Sequence, residues 1–298
     1  MPSTLGPYEL LTRLGAGGMA EVWKARAFGA SGFEKIVVLK VLLPELVGEA
    51  RYERMFIEEA KLHARLVHQN LVQVHELGSA GGQYFVRLDF VDGADLARLG
   101  APMPEPFALY VAEQLALGLD YVHRVTDDVG RPLGLVHRDV SPSNVLLSRE
   151  GEVKLVDLGI AKATALRDTT RAGVRKGKYA YMSPEQVSGL GLTAASDQFG
   201  LAVTLIELLT GGRPFDGATP LETMDRVREA SPPALDGVAD DVKGVLLRAL
   251  AKEPAARFAS SEALRRALAV CRRARGDVGA IELAGWVNSK LVGGVPRQ

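Results

Sequence analysis

The sequence has little of several features that would narrow its function by themselves. Its 298 residues contain one cysteine, Cys271, so no disulfide can form within the chain and no cysteine-based zinc site can be built. The 36 basic and 36 acidic side chains cancel, which gives no reason to expect nucleic acid as a partner. The sequence shows no secretory signal and no apolar run long enough to span a bilayer. We therefore expect a cytoplasmic protein or domain without a membrane segment.

Hydrophobic residues make up 47% of the chain, enough for a substantial core, and the length favours two lobes. From Tyr8 to Leu43 the pattern is strand-like around a glycine-rich turn that contains Gly15, Gly17 and Gly18. Such glycines let backbone N–H groups approach a phosphate, although a Gly-x-Gly pair alone is usually a simple turn. Residues 21–25 continue as a strand and not as a helix, which argues against the Rossmann fingerprint.

Charged residues also stand inside otherwise apolar segments. Lys40 lies within the run IVVLKVLL, where a lysine facing outward from an alternating strand is the simplest interpretation. Residues 51–67 have helical spacing, with Glu58 and Glu59 near the middle. An inward-facing glutamate on this helix would be able to pair with Lys40, although charged residues on helices are usually solvated.

Residues 135–159, LVHRDVSPSNVLLSREGEVKLVDLG, carry the strongest chemical pattern in the chain. Two short strands joined by a turn would bring Asn144 and Asp157 to one end of a hairpin, with Asp139 on the loop that enters it. Two oxygen ligands beside a separate carboxylate are what magnesium-assisted phosphoryl transfer requires. The sequence therefore predicts a magnesium-dependent site at this hairpin.

The segment 161–178 is basic and lacks hydrophobic periodicity, which predicts a surface loop. Three threonines in it are candidate phosphorylation sites: Thr164, Thr169 and Thr170. Asp197 follows Ser196 near the start of an apolar helix, where a helix cap is the default expectation. Five arginines are expected on the solvated face of a C-terminal helix: Arg265, Arg266, Arg272, Arg273 and Arg275. Five tail residues are expected to form one apolar helical face: Ile281, Leu283, Trp286, Val287 and Leu291.

The order and spacing of these features match the protein-kinase signature set of glycine-rich loop, strand lysine, helix glutamate, His-Arg-Asp loop with a downstream Asn, Asp-x-Gly and Pro-Glu. From about Tyr8 to about Ala269 the chain resembles a eukaryotic-like (Hanks-type) serine/threonine protein kinase of the bacterial type. The resemblance implies an α+β, bilobal protein-kinase fold. A β-rich N-lobe with one regulatory helix would occupy residues 1–91, a mainly helical C-lobe residues 92–270 and a C-terminal helical tail residues 271–298.

The resemblance also implies how a nucleotide would bind. Lys40 would grip the α- and β-phosphates of ATP, with Glu59 as its helix partner and Glu58 as the rival. The nucleotide-binding set that the resemblance implies is Leu14, Gly15, Gly17, Gly18, Val22, Val38, Lys40, Leu88, Asp89, Val91 and Leu146.

For the chemistry, the resemblance implies that Asp139 is the base for the substrate hydroxyl. Asn144 and Asp157 would bind Mg²⁺, with Mn²⁺ as an alternative. Glu185 and Arg257 would form a structural ion pair beneath the substrate-binding segment.

The chain departs from the family at the catalytic loop. The lysine expected two residues after Asp139 is Ser141, and the threonine expected after Gly177 is Lys178. Loss of a cation that neutralises the transferring phosphate would cost roughly 10²- to 10³-fold in rate, by analogy with oxyanion donors. Our hypothesis is that Lys178 places its ammonium near Asp139 and restores the charge as a catalytic residue. The alternative is that Lys178 is one more exposed base in a basic loop.

The leading functional prediction is an ATP- and Mg²⁺-dependent kinase that phosphorylates serine or threonine of protein substrates, itself included, with a homodimer for trans-autophosphorylation. Arg138, next to the catalytic Asp, implies regulation by a phosphate on the loop. The alternative is a pseudokinase that holds nucleotide and partners with little transfer, motivated by Ser141, Ala20 in place of the third loop glycine and His63 in place of a helix leucine. Five retained side chains argue against it: Lys40, Glu59, Asp139, Asn144 and Asp157.

Overall fold

A computed structural model describes residues 4–158, 177–231, 234–276 and 278–293. Residues 4–92 belong to one compact unit, and residues 93–158 and 177–293 belong to a second. In this part of the chain, no helix has the length and apolar character needed to cross a membrane. The predicted boundary at residue 270 falls inside a continuous helix, Ser261–Arg273, and the predicted division into domains stays a prediction.

The first unit is an antiparallel sheet with one helix. Its strands are β1 (Thr4–Leu5), β2 (Tyr8–Ala16), β3 (Ala20–Phe28), β4 (Glu34–Leu42), β5 (Val74–Ala80) and β6 (Gln83–Asp89), in the spatial order β1-β2-β3-β4-β6-β5. Helix α1 (Ala50–Ala64) lies between β4 and β5 in sequence. Strands β5 and β6 pair as an antiparallel hairpin.

Strand β4 sends alternate side chains into two cores, because successive residues of a strand point to opposite faces. Leu39 and Val41 pack on one face with Phe85 of β6. Leu42 packs on the other face against Phe56 of α1. Lys40 has the same parity as Leu42, so the strand directs this lysine to the face that α1 covers.

The second unit combines a small sheet with eight helices among its described residues. The sheet has the order β7 (Gly93–Asp95), β8 (Val145–Ser148), β9 (Val153–Leu155). The helices are α2 (Leu96–Leu99), α3 (Glu105–Arg124), α4 (Pro184–Val187), α5 (Ala194–Thr210), α6 (Pro220–Glu229), α7 (Asp240–Ala249), α8 (Ser261–Arg273) and α9 (Ala280–Val292). Together with the first unit, this architecture is the α+β protein-kinase fold that the sequence predicts.

Helices α3 and α5 form the centre of this second core, with Leu115, Leu119, Phe199 and Leu205 almost completely buried. Burial of each such side chain contributes about 1.5–3 kcal/mol. Gly211 follows the last residue of α5, and its φ of 78° is the left-handed conformation that glycine adopts most readily after a helix C-terminus. The core therefore fixes α5 along its length.

The prediction that Asp197 caps α5 is wrong. The helix begins three residues earlier, at Ala194, and the Ser196 hydroxyl accepts the N–H of Thr193 at 3.2 Å. Because Asp197 lies inside the first turn, its carboxylate is directed away from the helix end and into the protein, where it is buried.

The prediction that the C-terminal arginines are all solvated is also wrong. Arg265 and Arg272 of α8 both donate to Glu113 of α3, at 3.1 and 2.7 Å. Arg275 pairs with Asp241, while the side chain of Arg266 stays 75% exposed. A buried glutamate on α3 requires cationic partners, and α8 is the helix that packs against it.

The tail helix α9 packs on the second unit. Leu283, Val287 and Leu291 are buried, and Trp286 contacts Phe107 with ring centroids 6.1 Å apart. Ile281 is exposed, so it does not belong to the apolar face that the sequence predicts. Its position is two residues before Leu283, which is about 200° around a helix and therefore on the opposite side.

Candidate active site

Lys40 and Glu59 form an ion pair within the first unit. The distance from Lys40 Nζ to Glu59 Oε1 is 2.7 Å, and the side chains are only 16% and 9% exposed. Glu58 is exposed to solvent. Helix α1 therefore brings Glu59, and not its neighbour, to the lysine, because adjacent helical residues point about 100° apart.

The glycine-rich turn joins β2 to β3. Gly15 pairs with Val22 in the sheet, and Leu14 lies at a register shift just before it. None of Gly15, Gly17 and Gly18 has a positive φ. A Cβ built on Gly15 or Gly18 would meet no atom within 4 Å, and one on Gly17 only the Ala20 carbonyl at 3.7 Å. The fold itself does not require glycine here, so the open space fits a ligand that approaches the backbone closely.

Several predicted nucleotide contacts lie on one face of the first sheet. Val22 is opposite Lys40 across β3 and β4, and Val38 is opposite Leu88 across β4 and β6. Residues opposite each other in antiparallel strands point to the same side. Strand β6 ends at Asp89, and the buried Val91 follows within two residues. Leu146 is on β8 of the second unit.

The predicted hairpin of the second unit is formed by β8 and β9. Asn144 directly precedes β8, Asp157 follows β9 by two residues, and Val156 N–H donates to the Asn144 carbonyl at 2.9 Å. The Asn144 amide nitrogen donates to the Asp139 carbonyl and to Asp139 Oδ2, at 2.7 and 2.6 Å. These bonds orient the amide so that its oxygen is the atom that can accept or ligate.

Two non-glycine residues of this region have left-handed backbones. Arg138 has φ 70° and Asp157 has φ 54°. Conformations of this kind cost about 1–3 kcal/mol and cluster at functional sites, where the surrounding structure holds them. The backbone conformations that orient these two residues therefore lower the stability of the folded chain.

Asp197 holds the backbone of the loop that carries Asp139. Its carboxylate accepts the N–H of His137 at 2.7 Å and that of Arg138 at 2.8 Å, and His123 Nε2 lies 2.7 Å away. Burial alone would raise the pKa of Asp197, but the hydrogen bonds from His123 and His137 hold it below its usual range. This role of Asp197 was not predicted from the sequence. One acidic residue inside an apolar helix is the signal that would have found it.

Lys178 contacts the predicted base directly. Its Nζ is 2.7 Å from Asp139 Oδ2, with side-chain exposures of 23% and 11%. The buried Ser141 hydroxyl lies 3.2 Å from Ser143 Oγ. The structure therefore brings together Asp139, Asn144 and Lys178, as the hypothesis for Lys178 requires.

Glu185 and Arg257 form a bidentate pair with distances of 2.8 and 2.9 Å, and their side chains are 5% and 0% exposed. Burial would raise the pKa of Glu185, but the bonds from Arg257 and Ser196 lower it overall. The next residue, Gln186, donates to the Arg138 carbonyl at 2.8 Å. This pair thus anchors α4, which in turn contacts the loop that carries Asp139.

Asn144 and Asp157 supply oxygen donors, the ligand type that Mg²⁺ prefers. Within the described ranges, no group of three or more His, Cys, Asp or Glu side chains is arranged to hold a metal ion. Two protein oxygens fit a metal that keeps waters and takes its remaining ligands from phosphates. The predicted phosphorylation sites Thr164, Thr169 and Thr170 lie outside the described residues.

A sheet unit that holds a lysine–glutamate pair and a helical unit with these loop carboxylates together define the class of protein kinase domains. The model of the protein kinase domain family matches residues 8–268. The chain belongs to this family.

Individual relatives agree with this assignment. The chain is 41% identical to the tyrosine-protein kinase MasK of Myxococcus xanthus, over 88% of the chain and 42% of that protein. It is 34% identical to the serine/threonine-protein kinase PknD of Mycobacterium tuberculosis, over 87% of the chain and 39% of that protein. The crystal structure of the Mycobacterium tuberculosis PknI kinase domain is similar, with a TM-score of 0.64, 31% identity and coverage of 90% of this chain and 96% of that chain.

These relatives are bacterial kinases of the Hanks type, and the chain is a member of that group. The chain spans about two fifths of the length of the two curated relatives.

Proposed function

We propose that this chain transfers the γ-phosphate of ATP to serine or threonine hydroxyls of protein substrates, itself included. The observation that carries the proposal is the contact of Asp139 Oδ2 with the Asn144 amide at 2.6 Å. It places a carboxylate suited to accept a proton beside an amide oxygen suited to bind a metal.

Asp139 acts as the base in this proposal. The substrate hydroxyl donates its proton to the Asp139 carboxylate while its oxygen forms a bond to the γ-phosphorus, and the bond from that phosphorus to the β-phosphate oxygen breaks. The hydrogen bonds from the Asn144 amide hold the carboxylate in one orientation, and Asp197 fixes the loop backbone. Such positioning supplies much of the rate in phosphoryl transfer.

The ATP substrate is bound chiefly through the first unit. Lys40, oriented by Glu59, binds the α- and β-phosphates, and the N–H groups of the glycine-rich turn approach the phosphates through the open space around Gly15 and Gly18. Val22 and Val38 share the sheet face of Lys40 and offer apolar surface to the adenine ring. The other residues proposed to contact the nucleotide are Leu14, Gly17, Leu88, Asp89, Val91 and Leu146.

Asn144 and Asp157 would hold the divalent cation, with Mg²⁺ proposed and Mn²⁺ as the alternative. When bound, the cation neutralises phosphate charge. The hairpin pairing of β8 with β9 fixes the spacing of these two residues before any ligand binds.

Regulation by phosphorylation is part of the proposal. The Nε atom of Arg138 is buried and has no hydrogen-bond partner within the described part of the chain. An unsatisfied buried guanidinium N–H calls for an anion, and a phosphorylated loop threonine would supply one. A second copy of the chain would be the enzyme that adds this phosphate in trans.

The choice of acceptor residue separates two versions of the proposal, because MasK is named a tyrosine kinase and PknD a serine/threonine kinase. The test is incubation of the chain with labelled ATP and Mg²⁺ followed by phosphoamino-acid analysis. Label on serine or threonine supports the proposal, and label on tyrosine alone would correct it.

Asp139→Asn is the companion variant, with the exposed Asp236→Asn as its matched control. We expect transfer to fall about 10²- to 10⁴-fold in the first, the range for loss of a general base, and to persist in the second. Absence of label with the unmodified chain would support the pseudokinase alternative, which the names of the relatives do not favour.

A further inference from the structure

The cation that contacts Asp139 comes from a distant part of the sequence. Lys178 lies 39 positions after Asp139, and its Nζ is 2.7 Å from Oδ2. The nearby loop residue Ser141 is neutral and buried, with its hydroxyl 3.2 Å from another serine. Positive charge therefore reaches this carboxylate from the segment that follows Gly177.

The ion pair between Lys178 and Asp139 is expected to add little to the stability of the fold. Both side chains are mostly removed from water, at 23% and 11% exposure, and the desolvation of two charges largely offsets their attraction. A hydrophobic pair of similar volume would often be as stable. The pair therefore points to a role in chemistry.

Proton transfer explains what the pair does. As the substrate hydroxyl gives its proton to Asp139, the carboxylate loses its negative charge. The attraction between the Lys178 ammonium and that carboxylate then weakens, and more of the ammonium's positive charge can act on the transferring phosphoryl group. An ammonium has three N–H donors, so it can contact more than one acceptor during this change. Its positive charge then stabilises the transition state selectively.

The position of Lys178 is fixed by the residue before it. Gly177 has φ 110°, and Arg213 Nη1 donates to its carbonyl at 3.2 Å. A Cβ on Gly177 would lie only 2.7 Å from that nitrogen. Arg213 is itself held by Asp216 and lies over the ring of Tyr181, 5.9 Å from its centroid.

We propose that Lys178 is a catalytic residue that supplies the cation of the active site, and that Arg213 is its positioning residue through the Gly177 carbonyl. The inference rests on the proposed kinase function and adds to it the origin of the catalytic charge.

The main test compares four proteins at saturating ATP and protein substrate: the unmodified chain, Lys178→Thr, Ser141→Lys and the double variant. We expect Lys178→Thr to lower kcat by roughly 10²- to 10³-fold while KM for ATP changes little, as for loss of a transition-state contact. Ser141→Lys should recover at least about tenfold in that background, because it returns an ammonium to the site. In the unmodified background it should give no gain, since two cations would then crowd one carboxylate.

The matched control is Lys252→Thr, which removes an exposed lysine of the same unit. Its kcat should stay within about twofold, the usual effect of a surface change. Lys178→Arg keeps the charge in a different shape and should retain more activity than Lys178→Thr, which protects the test if the threonine variant folds poorly.

Arg213→Gln tests the positioning role. Its kcat should fall by about tenfold, and adding it to Lys178→Thr should cause no further loss, because both changes remove one function. A merely structural role would instead lower kcat by similar factors in both backgrounds.

The outcomes separate this inference from the kinase proposal. Without transfer by the unmodified chain, both fail together. If the chain is active and Lys178→Thr keeps or increases kcat, only the catalytic role of Lys178 is refuted. The catalytic role is also refuted if Lys178→Thr lowers kcat, adding Ser141→Lys does not raise it, and Lys178→Arg is no more active. Loss of the positive charge would then not be the cause of the low kcat.

Discussion

The two units of the molecule each hold a lysine–carboxylate pair at the same distance of 2.7 Å, yet the pairs are built differently. Lys40 is in the middle of a regular strand, and its partner Glu59 is on a regular helix. Lys178 opens a short 3₁₀ turn after a left-handed glycine, and Asp139 is on a loop whose backbone is held by hydrogen bonds. The first pair follows from secondary structure, whereas the second depends on contacts between distant segments.

The difference indicates which changes would break each ion pair. A displacement of α1 would move Glu59, because Glu59 is part of that helix. The Lys178 contact depends on Gly177, Arg213 and the carboxylate of Asp139 being in place together. We therefore expect the second pair to be the more sensitive to substitutions elsewhere in its unit.

The largest expected effect concerns a third pair, Arg257–Glu185. It tests whether breaking a fully buried pair mainly lowers stability, whereas breaking the Lys178–Asp139 pair mainly lowers kcat. Arg257→Met leaves the Glu185 carboxylate buried without its cation, so the free energy of unfolding should fall by about 3–5 kcal/mol. Chemical denaturation measures this change. By contrast, Lys178→Thr should alter kcat far more than stability.

Arg266→Met is the control for this prediction, because Arg266 pairs with Glu262 at the surface and is 75% exposed. It should cost no more than about 1 kcal/mol, the usual upper value for an exposed pair. Equal stability of the Arg257 and Arg266 variants would show that burial is not the distinguishing property.

The next largest effect concerns the first pair. Glu59→Gln should lower kcat/KM for ATP by up to about 10²-fold, the cost of misplacing a group that positions substrate. Its neighbour gives a matched control, since Glu58→Gln changes an exposed side chain of the same helix and should stay within about twofold. Steady-state kinetics with varied ATP measures both. Similar losses in the two variants would mean that helix charge, and not the contact with Lys40, is responsible.

Much of the fold and part of the site could be predicted from the sequence. Local patterns were sufficient for the β8–β9 hairpin and for the strand that carries Lys40, because alternation and turn residues act over a few positions. The same patterns left Glu58 and Glu59 as rivals, since the phase of a helix depends on what it packs against. Packing of Phe56 against the sheet determines that phase.

Contacts between residues that are far apart in the sequence could not be predicted from local patterns. Asp197 was assigned to a helix cap because capping is a local pattern, whereas its actual partners, His137 and Arg138, lie about 60 residues earlier. The arginines of α8 were assigned to solvent because nothing nearby in sequence reveals that Glu113 of α3 is buried beside them.

The smallest expected effect is on the pH dependence of stability, and it tests how the loop of the second pair is held. The pKa of Asp197 is below its usual range in the folded chain, so the unfolded chain binds more protons in acid. Stability from this group is full above about pH 5 and is lost as the pH falls through the folded pKa. Asp197→Asn should therefore flatten the acid side of the curve of unfolding free energy against pH, by at most about 1.4 kcal/mol per pH unit.

Asp95→Asn is the control with the opposite sign. Burial raises the pKa of Asp95 despite its hydrogen bond from Arg98 N–H, so this group favours the folded state more as the pH falls. Its removal should leave the acid slope unchanged or make it steeper. If both variants flatten the slope equally, the change in slope is caused by the change in net charge. Asp197 would then hold the loop that carries Asp139 through its hydrogen-bond geometry, without a contribution from its ionisation.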